Sequence, residues 1–235
     1  SFFERAEVKD VMAYFKLAVN VNDDESFKRV VNKPARGIGD TSMTALTAAA
    51  TEHKTSLFKA AFADDLEKFG LKAPAVKKIR EFCEMMDKLA VRTHKDDAYA
   101  VASAIAMESG IFMLYKSDAS IEGQARAANV EELLNGVKTY VEEKQNEIFE
   151  EMQAEGQVAE GVELAASDLP AVLLIDYLEN VSLLSAVDVD EEDSMNKISM
   201  MTVHSSKGLE YPYVYVVGME ENIFPSGGFL SSENE

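Results

Sequence analysis

The chain has 235 residues, enough for one large domain or two smaller ones, and 47% of them are hydrophobic, which can supply a core. Its longest apolar stretches, 171–175 and 214–217, are far shorter than the roughly 20 residues that cross a bilayer, and no charged-then-apolar leader opens the chain. These features argue against a membrane protein or an exported one. The absence of an initial Met and the polar last residues lead us to expect that both ends are cuts within a longer protein.

Cysteine and histidine usage narrows the chemistry further. Cys83 is the only cysteine, which excludes an internal disulfide and favours a reducing, cytoplasmic location. It falls on the apolar stripe of a predicted helix, so we expect it in the core. The three histidines, His53, His94 and His204, are scattered and have no cysteine pairs beside them, so no zinc site is expected.

The net charge of −19 would ordinarily argue against a nucleic-acid partner, but it is unevenly distributed. Residues 141–235 carry 21 acidic and only 3 basic side chains, whereas residues 26–95 carry 8 acidic and 14 basic ones. A basic surface in the first half therefore remains compatible with DNA binding.

Apolar periodicity predicts helices along most of the chain, punctuated by glycine and proline. They are expected at 6–19, 26–32 with Ser26 as the cap, 41–51 with Asp40 as the cap, 56–69, 73–92, 98–109, 111–115, 124–149 and 168–184. Residues 153–168 predict an acidic loop, and 188–193 an acidic linker. Only 198–203 and 213–217 are β-prone, so we expect a mostly α protein with a small α/β portion near its end.

The first chemically informative segment is the turn 31–39, Val-Asn-Lys-Pro-Ala-Arg-Gly-Ile-Gly. A Gly-x-Gly turn leading into a helix exposes backbone N–H groups where a phosphate can bind, and Lys33 and Arg36 add positive charge. By itself the pattern is also compatible with an ordinary turn between two helices.

The second is 201–212, where a predicted strand ends in a polar turn and a second strand follows. Ligands gather at the carboxyl ends of strands in open α/β sheets. Each of these residues taken alone fits equally well with a structural histidine and a solvated lysine at a strand corner.

Taken together, these residues resemble a known family. Thr202-x-His204-x-x-Lys207-Gly208-Leu209-Glu210, followed by Tyr211, resembles motif V of UvrD-like superfamily 1 DNA helicases. Residues 216–225 are similar to the stretch that follows it in that family, 2–10 to the segment after motif IV, and 122–133 to a further helix. The turn 31–39 is similar to the Gly-Ile-Gly element with which the family's 2B subdomain contacts duplex DNA.

The resemblance implies roles for individual residues. Thr202 and His204 would face single-stranded DNA, while Glu210, Lys207 and Gly208 would lie at the nucleotide, with Glu210 at the ATP ribose. Duplex DNA would be contacted by the turn, through Lys33, Arg36, Gly37, Ile38 and Gly39.

The resemblance also implies an organisation. Residues 24–190 would form the helical 2B subdomain, and 1–23 and 191–235 would belong to the second RecA-like motor domain, 2A. The parent would be a 3′–5′ DNA helicase in repair or replication, using ATP and Mg²⁺. The chain itself contains no G-x-x-x-x-G-K-[ST] phosphate loop, so we expect it to be inactive alone.

Two alternatives remain at the level of sequence. One is a stand-alone helix–hairpin–helix module that binds duplex DNA without a motor. The other is an acidic scaffold in which 141–193 contacts protein partners, an interpretation that leaves 202–211 unexplained.

Overall fold

The computed structural model describes residues 2–158, 162, 164–165, 168–188, 200–201 and 210–218, with only the backbone described at 184–188. Its internal contacts divide the chain into two units, Ser1–Val189 and Asp190–Glu235. We call them the helical unit and the C-terminal unit. The predicted assignment of 1–23 and 191–235 to one motor domain stays a prediction.

The described residues are mostly helical, as the sequence predicts, and contain no strand. The helices are α1 Ala6–Val19, α2 Asp24–Val30, α3 Asp40–Glu52, α4 Leu57–Ala60, α5 Ala73–Arg92, α6 Ala98–Glu108, α7 Ile111–Lys116, α8 Ile121–Ala154 and α9 Leu174–Asp188. Short 3₁₀ turns span Phe2–Glu4 and Leu66–Phe69. None of the described helices is long and apolar enough to cross a bilayer.

Helices α1 and α5 begin and end where the apolar periodicity predicts. Helix α1 lies in the middle of the helical unit, where it packs against α2, α5 and α8. One face of α5 is buried and includes Cys83, which confirms the predicted core position. Burial raises the pKa of the Cys83 thiol to about 12, so the thiol stays protonated and unreactive at neutral pH.

Two predicted helix caps are wrong. Helix α2 is capped by Asp23, whose Oδ1 accepts a hydrogen bond from the Ser26 N–H at 3.1 Å, so Ser26 lies inside the first turn. Helix α3 has Gly39 at the N-cap, and Asp40 is its first helical residue. The N-terminus of α3 therefore has no side-chain cap.

The predicted helix 56–69 is interrupted. The structure contains α4 and the 3₁₀ turn Leu66–Phe69, with turns between them. Arg80 of α5 accounts for the break, because its guanidinium donates to the carbonyl oxygens of Ala61 at 2.9 Å and Ala63 at 3.1 Å. Hydrogen bonds from Arg80 have replaced those that a continuous helix would form at these carbonyl groups. The local sequence pattern does not predict this, because Arg80 lies in another helix.

Helix α8 is longer than predicted, and α9 begins later. The Ser120 hydroxyl accepts from the Gly123 N–H at 3.0 Å, which starts α8 three residues before the predicted position. The predicted start at 168–170 is wrong, because residues 170–173 are in no helix and α9 begins at Leu174. There the Val172 carbonyl accepts from the Ala98 N–H at 2.7 Å and the Val172 side chain is buried.

The β-prone run 213–217 forms no strand. A strand requires a neighbour to satisfy its backbone groups, and no backbone hydrogen bond joins this run to another described residue. Of the other predicted run, 198–203, only residues 200 and 201 are described, and neither is in a strand.

Candidate nucleic-acid interface

The turn 31–39 connects α2 to α3 and is shaped by Asn32. The Asn32 Oδ1 accepts hydrogen bonds from the N–H groups of Arg36 at 2.8 Å and Ile38 at 3.1 Å. Gly37 sits between these two donors at φ +70°, a left-handed conformation that side-chain-bearing residues rarely adopt. The asparagine side chain thus closes the turn, and the glycine makes the closure possible.

Ile38 is the buried residue of the turn, and the two glycines lie on either side of it in the sequence. The Ile38 side chain is 1% exposed, whereas Gly37 and Gly39 are exposed on either side of it. Within residues 2–158, the N–H groups of Gly37 and Gly39 have no hydrogen-bond partner. The turn therefore presents free backbone donors to solvent at the uncapped N-terminus of α3, a geometry suited to an anion.

The Arg36 guanidinium points into the protein. Its Nη2 donates to the Tyr14 hydroxyl and to the Ser109 carbonyl, both at 2.8 Å. Its Nη1 lies 3.1–3.2 Å from three carbonyl oxygens, those of Val30, Val31 and Pro34. The sequence predicts a phosphate contact here, and that role stays a prediction. What the structure shows is that Arg36 holds the turn against α1 and the α6–α7 connection.

Aromatic residues complete the environment of Arg36. The guanidinium carbon lies 5.0 Å from the centroid of the Phe82 ring, which is almost fully buried. Tyr14 is fully buried and donates its hydroxyl hydrogen toward the carbonyl of Lys33 at 2.6 Å. Burial raises the pKa of Tyr14 to about 12, and the nearby guanidinium of Arg36 partly opposes that shift.

Lys33 is engaged by a buried carboxylate. Its ammonium forms an ion pair with Asp10 of α1, whose side chain is 2% exposed. Asp10 also accepts from Arg29 at 2.8 Å and from the Tyr115 hydroxyl at 2.7 Å. Burial, and after it the bond to Asp10, raises the pKa of Tyr115. Asp10 therefore ties α1, α2, α7 and the turn together.

The structure also brings Lys78 of α5 to the turn, which sequence reasoning missed. A Cβ placed on Gly37 would lie 2.5 Å from the Lys78 Nζ and 3.5 Å from its Cε. The only local signal in the sequence is that Lys78 lies off the apolar stripe of α5. The sequence predicts exposure for this lysine, but its neighbour is decided by how α5 packs beside the turn.

Two segments that carry the family resemblance meet each other. Arg5 donates to the Asn129 Oδ1, and the Asn129 Nδ2 donates to Glu7 at 2.5 Å. Lys9 forms an exposed ion pair with Glu4. Arg5 and Glu7 thus join the start of α1 to α8, a contact within the helical unit that involves neither glycine of the turn.

Most of the second candidate site lies outside the described residues, namely Thr202, His204, Lys207 and Gly208. Glu210 is described, and its side chain is exposed, as is that of Tyr211. The roles predicted for these residues stay predictions.

Comparisons with known proteins agree with the resemblance. Residues 1–234 match the family described as UvrD-like helicase C-terminal domain. DNA helicase II of Escherichia coli is 31% identical over 238 residues, which cover 99% of this chain and 30% of that protein. The ATP-dependent DNA helicases PcrA of Staphylococcus epidermidis and Staphylococcus aureus are 31% and 29% identical over 234 residues, 28% of their length. The chain therefore spans less than a third of these relatives.

Proposed function

The chain belongs to the UvrD-like helicase C-terminal domain family, and from that premise we propose that it is part of a cytoplasmic, ATP-dependent 3′–5′ DNA helicase acting in repair or replication. Residues 24–190 are its helical 2B subdomain, and 1–23 and 191–235 belong to motor domain 2A. The match over 1–234 supports this reading over a stand-alone duplex-binding module, because it includes the segment 201–212 as well as the turn.

The function we assign to the helical unit is sequence-independent binding of duplex DNA at the turn 31–39. The observation that carries it is the pair of exposed glycines, Gly37 and Gly39, whose N–H groups are unpartnered within residues 2–158, beside the uncapped start of the 13-residue helix α3. A helix N-terminus with free donors favours a phosphate. Asp40 in the first turn opposes that anion, and the turn contacts few phosphates, so we expect micromolar or weaker affinity with a shallow salt slope, on the order of −0.9 per phosphate neutralised.

The function we assign to the C-terminal unit requires the rest of the parent. Thr202 and His204 face single-stranded DNA, and Glu210, Lys207 and Gly208 lie at the nucleotide, where ATP binds with Mg²⁺. The carboxylate of Glu210 is exposed, and a carboxylate accepts hydrogen bonds, as from a ribose hydroxyl. Since the 235 residues include no phosphate loop, the chain alone does not hydrolyse ATP.

Gly39 offers a clean test of the duplex site. Its φ is −89°, an ordinary value, and a Cβ there would meet nothing within 4 Å, so substitutions should fold. Gly39→Asp supplies the missing N-cap acceptor and a negative charge. We expect it to raise the free energy of unfolding by a few tenths of a kcal/mol while weakening duplex binding on the order of tenfold.

The measurements are urea unfolding and fluorescence anisotropy with a labelled duplex at low salt. Gly39→Ala is the matched control, because it adds a methyl group without a charge or an acceptor, and it should bind almost as the wild type does. If Gly39→Asp and the wild type bind equally, the turn is not a phosphate site. If the wild type does not bind duplex DNA, the proposed function of the helical unit fails.

A further inference from the structure

Three cationic side chains lie at the turn 31–39, and they differ in what they already bind. The Arg36 guanidinium is directed to carbonyl and hydroxyl groups inside the protein. The Lys33 ammonium is paired with the buried carboxylate of Asp10. Lys78 has no carboxylate within 4.0 Å among the described side chains, although its neighbour Lys77 pairs with Glu81 at 3.9 Å.

The side chain of Lys78 also lies close to Gly37 of the turn. Its Cδ, Cε and Nζ lie 3.7, 3.5 and 2.5 Å from the point that a Cβ of Gly37 would occupy. The lysine side chain thus lies across the exposed face of Gly37, whose N–H has no partner within residues 2–158. The ammonium therefore lies next to an exposed residue whose amide donor has no partner within residues 2–158.

We propose that Lys78 is the cation of this duplex site and that it contacts a backbone phosphodiester together with the Gly37 turn. The inference rests on the proposed function and adds a residue to it. Lys78 is exposed, so it meets a phosphate without first leaving a carboxylate partner, whereas Arg36 would have to break several hydrogen bonds and Lys33 its ion pair with Asp10. Arg36 is then a positioning residue that sets the turn in place.

Two separate features disfavour a side chain at position 37, and the second bears on the proposal. The backbone there is left-handed, which strains any other residue. In addition, a Cβ would displace the Lys78 ammonium from its place beside the turn. A glycine satisfies both requirements.

The test uses the whole 235-residue chain and a labelled DNA duplex, with anisotropy titrations at several salt concentrations. Lys78→Gln should weaken binding about threefold to tenfold at low salt and reduce the slope of log affinity against log salt by about 0.9. Lys78→Arg keeps the charge and should retain binding. Because Lys78 is exposed, the thermal unfolding of both variants should match that of the wild type.

Lys88→Gln is the matched control, since Lys88 is exposed on the same helix about 15 Å further along it and has no ion pair among the described residues. Its binding should stay within about twofold of the wild type. Equal weakening by Lys78→Gln and Lys88→Gln would overturn the assignment of Lys78 and leave the proposed function standing. Absence of duplex binding by the wild type would overturn the proposed function itself.

Two further arms identify the ligand. A single strand of the same length should bind with little dependence on Lys78. Inorganic phosphate at the same phosphate concentration should not displace the duplex. A loss for the single strand as large as for the duplex, or equal displacement by free phosphate, would contradict a site for the duplex backbone.

Discussion

The same residue types are buried in the helical unit and exposed in residues 210–218 of the C-terminal unit. In α1, Val11 and Tyr14 are completely buried, whereas Tyr215 and Val217 are 88% and 84% exposed. The difference lies in the backbone. The backbone groups of a helix form hydrogen bonds within the helix, so a helix needs only one apolar face packed against a neighbour. A β-prone run needs a second strand to bind its backbone groups before its side chains can pack.

Polar residues within the helical unit also fall into two kinds, those held by several protein partners and those exposed to solvent. Asp10 is buried and Arg36 is half-buried, and both are bound by partners from several segments of the helical unit, whereas Lys78 is exposed and its ammonium has no carboxylate partner among the described residues. Buried polar groups that are fully hydrogen-bonded fix a structure, and exposed ones are available to ligands. The turn 31–39 has Asp10 and Arg36 to hold it and Lys78 exposed beside it, and this suits a rigid binding element.

The largest effect is expected from removing Arg36, the half-buried cation that is hydrogen-bonded within the protein. Arg36→Ala leaves the carbonyls of Ser109 and Pro34 without this donor and removes the contact with Phe82, so the free energy of unfolding should fall by about 2–4 kcal/mol. Urea unfolding of Arg36→Ala and of Tyr215→Ser measures it, and the exposed tyrosine should contribute less than about 0.5 kcal/mol.

Arg36→Lys should recover only part of the loss, because an ammonium cannot reproduce the fork of a guanidinium. A loss below about 1 kcal/mol in Arg36→Ala would mean that water replaces the guanidinium, and the contrast between interior and surface cations would disappear.

An intermediate effect is expected at alkaline pH. Burial raises the pKa of Tyr177 to about 12, so the folded state favours the neutral phenol. A raised pKa contributes stability that is complete below the ordinary value of 10.0 and is lost as the pH rises toward about 12. Tyr177→Phe should therefore flatten the fall in unfolding free energy between pH 10.0 and about 12, by up to about 2 kcal/mol.

Urea unfolding of the wild type and Tyr177→Phe across that window is the measurement, and their difference removes the contribution of the lysines. Parallel curves for the two proteins would show that the Tyr177 hydroxyl is solvated in the folded state.

The smallest energetic effect, and the sharpest test of the comparison, concerns amide exchange. The amides of 213–217 have no backbone hydrogen bond to any described residue, so they should exchange at nearly unprotected rates, while those of α1 and α5 exchange only on global opening. Exchange followed by mass spectrometry on peptic peptides would show this. Protection in 213–217 would reveal a paired strand; in the intact parent we expect that pairing.

Features that depend on local sequence could be predicted, whereas features that depend on contacts between helices could not. The bounds of α1 and α5 could be predicted because their apolar spacing is periodic, and Cys83 could be placed in the core for the same reason. The break after α4 could not, because it depends on Arg80, which lies in a different helix. The cap of α2 was assigned to the wrong residue, since Asp23 and Ser26 are both competent caps.

For the candidate site, the Gly-x-Gly turn could be predicted from the sequence. Gly37 has a positive φ and a close neighbour, and a position of that kind favours glycine, which can be recognised in a sequence. It could not rank the cations around that turn. Arg36, Lys33 and Lys78 carry equal charge in a sequence. Only the packing of α1, α5 and the α6–α7 connection decides that Arg36 is hydrogen-bonded to carbonyl and hydroxyl groups, that Lys33 is paired with Asp10, and that Lys78 has no carboxylate partner among the described residues.

The sequence by itself therefore determined the helical character of the chain, the position of most helices and the family to which its motifs point, because these depend on neighbours within a few turns. The tertiary structure alone decided that Arg36 faces inward, that Asp10 joins three helices to the turn, and that Lys78 lies beside Gly37. Those facts depend on residues far apart in the chain, and their contacts exist only after the helices have packed.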